Sequence, residues 1–180
     1  MKMKTRTITV TAIMVALCVV VQLFKNPGTI PVTGGLINMI IIIDTLYCGL
    51  VSGIIISIAA PVTSFIITQS PMIAAVPMIL PFIMVGNVVI VLFAWAVRCK
   101  KLELNLLPLS LVAGSFAKWG VMTLLIVQWV LPVFGADLSP KMKAMAAATY
   151  STTQLYAALA GTALTCIIWP IIKLGVKRSR

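Results

Sequence analysis

The chain has 180 residues, 61% hydrophobic and 9% charged, with a mean hydropathy of +1.15; soluble domains run at about 45–50% apolar and about 25% charged, so lipid and not water must be its main solvent. Fourteen Lys and Arg stand against three acids for a net charge of +11, and His is absent, which excludes thiol–imidazole chemistry and His-based zinc sites. The basic residues sit at the ends of apolar runs, so the charge reads as membrane topology and not as nucleic-acid binding.

Lys2 to Arg6 followed by an apolar run imitates a secretory signal, yet Phe24-Lys25-Asn26-Pro27 offers no small-residue cleavage site. The run is therefore expected to stay as a first span over 7–24, about 27 Å long and sufficient to cross a bilayer. Lys25 to Gly35 is rich in Pro, Gly and Thr and is expected to be a loop. The second span is placed at 36–47 and looks short, which suggests that part of the preceding loop dips into the protein. Gly49 begins a very tight turn into a third span, 49–68, which Pro61 is expected to kink.

A short loop over 69–77 leads to the fourth span, 78–97, closed by Arg98, Lys100 and Lys101. The fifth is placed at 106–131 and is followed by a polar loop containing Gly135, Asp137 and Pro140. The sixth, 144–174, is long enough to tilt or to break near Pro170. The whole chain is thus expected to be one all-α transmembrane domain, 1–180, of six spans.

Charge sidedness favours the even count. With six spans, Lys2, Lys4, Arg6, Arg98, Lys100, Lys101, Lys173, Lys177, Arg178 and Arg180 share one side, against Lys25, Lys141 and Lys143 on the other. That bias matches the positive-inside rule and predicts a multi-pass protein of the cell membrane with both termini cytoplasmic. No sequence echo relates the two halves, which disfavours an inverted-repeat carrier.

Few groups are available for chemistry. Paired carboxylates, a Gly-x-Gly phosphate cradle and a P-loop are all absent, so neither an enzyme nor an ATPase is expected, and no cofactor or metal. Cys18, Cys48, Cys99 and Cys166 are far apart and read as small buried hydrophobes. Lys118 lies about 18 Å into the fifth span, near mid-bilayer, where a charge is costly and points to function. Asp44 is expected roughly 12 Å deep in the second span, so two readings stand: a buried Lys118–Asp44 pair, or Lys118 facing a cavity and an anionic or carbonyl-bearing ligand.

Asn38, Asn87, Trp119, Tyr150 and Gln154 supply further polar groups in the outer halves of the spans, Tyr150 and Gln154 on one helical face. With Lys118 they are the candidate lining of one small-molecule pocket, although each amide alone is equally explained by helix-to-helix hydrogen bonding. Gln128, Trp129 and Tyr156 belong to the same outer region, Trp129 suiting an interfacial belt. Ala12/Ala16, Gly49/Gly53 and Ala157/Gly161 place small residues four apart, which lets helix backbones approach closely in lipid.

Six spans, the absence of an ATP motif, Ala12-Ile13-Met14-Val15-Ala16, Thr33-Gly34-Gly35-Leu36-Ile37-Asn38, Pro81-Phe82-Ile83-Met84-Val85-Gly86-Asn87, Ala117-Lys118-Trp119 and Gln154 together resemble the S component of energy-coupling-factor (ECF) transporters. The resemblance implies a subunit that binds a vitamin or related micronutrient, driven by a transmembrane coupling subunit and two cytoplasmic ATPases. It implies that Ala12 and Ala16 face the coupling subunit, that the 25–35 loop caps an outward pocket, and that the subunit topples in the membrane during transport. A self-sufficient carrier or channel, and a lipid-modifying membrane enzyme, are the competing readings from other classes.

Overall fold

The computed structural model describes residues 5–26, 28–99 and 106–178, and it is all-helical. Lys2, Lys4, Lys100, Lys101 and Arg180 of the charge count, and Pro27 of the first turn, lie outside the described residues. Six helical stretches are long and apolar enough to cross a membrane.

The first is α1, Thr5–Leu23, the least buried of the six, whose Ile8, Ile13, Leu17, Val20 and Leu23 are all exposed. The second, α2, Ile30–Cys48, is the most buried, and its inner run Ile40–Leu46 is wholly enclosed. It starts six residues before the expected 36, so Thr33-Gly34-Gly35 is helix and not loop. Pro31 explains the early start: its fixed φ and missing N–H suit the first helical turn. Gly34 and Gly35 do not break the helix because they face α9 (Thr152–Arg178), where a Cβ on Gly35 would stand only 3.1 Å from Ala160 Cβ.

Gly49 alone separates α2 from α3, Leu50–Thr68. Its φ of +115° is open only to glycine without strain, and an added Cβ would lie 2.6 Å from Arg98 Nη1. Gly49→Ala should therefore lose about 1–3 kcal/mol of stability, read as a lowered melting temperature of the purified protein; an unchanged melting temperature would show that the turn relaxes freely. The α3 helix passes through Pro61 without ending.

Within 69–77, expected as plain loop, lies a short helix, α4, Pro71–Ala75. The fourth span is α5, Ile79–Cys99. The fifth begins as α6, Leu107–Met122, continues as a π-helical segment, Thr123–Val130, and closes with α7, Leu131–Phe134, whose Pro132 occupies a first-turn position. The last stretch is two helices, α8, Pro140–Tyr150, and α9. They part at Ser151, with φ −113° and ψ −92°, while Pro170, near which a tilt or a break was expected, lies inside α9.

The bundle is held chiefly by α2 against α9, α5 against α6, and α3 against α5. One apolar core joins Ile41, Ile42, Ile56, Ile90, Val91 and Leu111 on the side of the chain termini. A second joins Ile79, Met122, Ile126, Val130 and Tyr150 at the far end. Lipid offers helices no hydrophobic drive to associate, so close packing and interhelical hydrogen bonds must supply it. Ser115 Oγ and Thr162 Oγ1, 3.0 Å apart, tie α6 to α9, and Gln22 Nε2 donates to Ala60 O at 2.8 Å, tying α1 to α3.

Candidate functional site

Two asparagines meet one lysine at the centre of the bundle. Lys118 Nζ on α6 donates to Asn38 Oδ1 on α2 at 2.6 Å and to Asn87 Oδ1 on α5 at 2.8 Å. All three side chains are enclosed: Lys118 and Asn38 are each 2% exposed and Asn87 5%. An ammonium has three donors and no acceptor, so both amides must turn their oxygens to it, which fixes their orientation. Asn87 Nδ2 then points away and donates to Ser57 O on α3 at 3.4 Å. That carbonyl is free because its normal helical partner, four residues on, is Pro61, which has no N–H.

Each asparagine reaches the lysine because a glycine beside it lets a helix come close. On α5, Gly86 precedes Asn87, and a Cβ there would lie 2.5 Å from Met122 Cγ and 3.8 Å from Lys118 Cγ. The bare glycine is what lets the α6 side chains lie against α5. On α9, a Cβ at Gly161 would lie 2.6 Å from Asn38 Cβ and 2.7 Å from Gly35 O. The crossing of α2 and α9 thus depends on glycines facing each other, one turn from Asn38.

Lys118 borders a cavity of about 290 Å³, at the small end of the roughly 300–1,000 Å³ usual for ligand pockets. It opens among the far ends of α2, α3, α4, α5, α8 and α9. Asn38, Asn87, Tyr150 and Gln154 line it with Lys118, so the fold brings together five of the six candidates. Tyr150 and Gln154 do so across the Ser151 break and not along one continuous helix face.

Trp119 is the exception. It follows Lys118 on α6, points off the cavity, and leaves its buried Nε1 without a hydrogen-bond partner among the described residues. One residue along a helix is a rotation of about 100°, which turns the neighbour of a pocket residue away. Trp129 is exposed and stacks edge-on with Phe82 and Phe134, while Gln128 and Tyr156 are also exposed.

The Lys118–Asp44 pair does not form. Because α2 starts at Ile30, Asp44 lies near its other end, six residues and about 9 Å beyond Asn38. There Ser52 Oγ of α3 donates to Asp44 Oδ2, and Thr11 Oγ1 of α1 bonds Ser52 Oγ. Arg98 Nη1 donates to the adjacent Thr45 O at 3.2 Å. Lys118 therefore has no carboxylate partner among the described residues, and a buried cation without one is expensive unless something else supplies negative charge.

Lys25 is a site residue outside the sequence-based candidate set. In the sequence it reads as a far-side charge and as the start of a loop expected to cap the pocket; in the structure it borders the same cavity, and its Nζ donates to Ser64 Oγ at 2.8 Å. The turn that carries it is self-capped: Asn26 Oδ1 accepts from the Gly28 and Thr29 N–H groups, both at 3.1 Å. An isolated basic residue flanked by Asn-Pro-Gly marks a built turn, and that signal was available.

The family model for the ECF transporter substrate-specific component matches residues 6–173. No curated protein and no solved structure matches the chain.

Proposed function

Because this chain belongs to the ECF transporter substrate-specific component family, a family of transport proteins and not of enzymes, we propose that it is the high-affinity binding subunit of an importer for a vitamin or related micronutrient. It is a multi-pass membrane protein, and in this reading it sits in the cell membrane with both termini cytoplasmic and the cavity facing outward. The observation that carries the reading is Lys118: enclosed, held by two amide oxygens, without an acid partner among the described residues, and bordering a cavity of ligand size. Asn38, Asn87, Tyr150 and Gln154 are its companions in ligand contact; Trp119 is given no direct contact.

The chain has no nucleotide-binding motif; its family membership supports assigning the energy to a transmembrane coupling subunit and two cytoplasmic ATPases. Ala12 and Ala16 are assigned to that partner. Both are exposed on α1, one turn apart, among larger exposed apolar side chains. They form a shallow groove that a partner helix can enter closely. Ala16→Trp should cut co-purification of the coupling subunit roughly tenfold or more, and leave ligand binding by the isolated subunit unchanged. Retention of the full complex would remove Ala16 from the interface.

The functional test is a thermal-shift screen of the detergent-purified protein against water-soluble vitamins and their precursors. A single class of compound should raise the melting temperature, and the shift should vanish in Lys118→Met. Uptake by the protein alone in liposomes would instead identify a self-sufficient carrier.

A further inference from the structure

Two lysines and no acid line the cavity among the described residues. Lys25 and Lys118 both border it, while none of its described lining residues is Asp or Glu. The α3 helix gives their separation in depth. The Lys118–Asn87 pair sits at the level of Ser57, which accepts from Asn87, and Lys25 sits at the level of Ser64. Those two serines are seven residues apart on one helix, two turns, or about 10 Å.

Both ends are rich in hydrogen-bond donors. At the inner end Lys118 gives one N–H to each asparagine oxygen and keeps a third. Asn87 Nδ2 is used by Ser57 O, and Asn38 Nδ2 makes no hydrogen bond among the described residues. A lysine N–H and the Asn38 amide N–H are thus left for a ligand there. At the mouth Lys25 gives one N–H to Ser64 and has two left. Burial lowers the Lys25 pKa from the ordinary lysine value, and nothing nearby offsets this. The rest of the wall is largely aliphatic, with Ile37, Pro61, Ile73 and Ile83, beside Thr149, Tyr150 and Gln154. Tyr150 is the one aromatic residue among the described lining, so a flat ring has no pair of faces to stack between.

Resting on the substrate-binding reading, we propose that the ligand of this cavity is an aliphatic compound with two acidic groups about 10 Å apart, one held by Lys118 with Asn38 and the other by Lys25. Carboxylate and phosphate serve equally at either end, since both offer acceptors to ammonium donors.

The test uses the full chain purified in detergent, with straight-chain dicarboxylates from glutarate to sebacate, the matching monocarboxylates, the dimethyl esters, and a set of neutral water-soluble vitamins. Thermal stabilisation should peak at one dicarboxylate length. The monocarboxylate of that length should bind roughly 10-fold or more weakly, as expected for loss of a charge-assisted contact. Lys25→Gln, which can keep a bond to Ser64, should reduce the dicarboxylate to monocarboxylate affinity; Lys118→Gln should weaken both.

Equal binding of mono- and dicarboxylate by the unaltered protein overturns the inference, even if a variant misfolds. So does an unchanged preference in a folded Lys25→Gln protein. Stabilisation by neutral vitamins with none by any acid removes the two-acid ligand and leaves the substrate-binding reading standing. No stabilisation by either set removes both.

Discussion

Replacing Lys118 with Met should weaken ligand binding by roughly two orders of magnitude while the protein still folds. Truncating one partner of a buried charge-assisted contact typically costs about 2–5 kcal/mol, and about 2.7 kcal/mol is 100-fold. Met preserves most of the side-chain volume between α2, α5 and α6. It also removes a buried lysine that has no acid partner among the described residues, which offsets part of what Asn38 and Asn87 lose when their oxygens lose a donor. Binding and stability should therefore separate: a large rise in Kd by titration, a modest change in melting temperature. An unaltered Kd would take Lys118 out of the ligand site and leave it a structural tie among three helices. A collapse of folding together with binding would mean that the lysine holds the bundle and does not primarily recognise a ligand.

The second large effect is expected at a helix crossing and not at a charged side chain. Gly161→Ala adds one methyl group, and that group would lie 2.6 Å from Asn38 Cβ, 2.7 Å from Gly35 O and 3.0 Å from Met39 N. Two of these neighbours are backbone atoms and the third is attached directly to it, so none can rotate away. The helices α2 and α9 must separate, and theirs is the most extensive packing in the bundle. Overpacking of this kind costs about 1–3 kcal/mol, occasionally more. Because Asn38 is among the atoms displaced, ligand affinity should fall as well. Gly175→Ala is the control, since a Cβ there meets nothing within 4 Å and the same methyl should leave the melting temperature unchanged. Equal melting temperatures for the two variants would show that the α2–α9 crossing is not set by its glycines.

Much of the architecture could be read without coordinates, and the reasons differ from residue to residue. Apolar run length is a local property, so the all-helical membrane class and six long helices followed from composition and periodicity. Ends of helices were less legible. Pro31 and Gly34-Gly35 read as loop because proline and glycine usually interrupt helices. In the fold Pro31 opens α2, and the glycines are retained for what α9 places against them. The last stretch breaks at Ser151 and runs on through Pro170, one of whose expected effects was a break, because a proline can sit in a helix if its orphaned carbonyl is tolerated.

The site divides along the same line. Lys118, Asn38 and Asn87 stood out because polar groups in an apolar span are costly wherever they point, and that cost depends on the sequence alone. Which of them meet depends on helix rotation and depth. A shift of six residues in the start of α2 carried Asp44 away from Lys118 and into the company of Ser52 and Thr11. A rotation of about 100° between neighbours excluded Trp119 from the cavity that Lys118 enters. The chain by itself determined that this protein lives in lipid, how many long apolar helices it has, and which polar side chains must find partners there. Only the packing of α2, α5, α6 and α9 decided who those partners are, since glycine-to-backbone approach between segments distant in sequence leaves no periodic trace in any one of them.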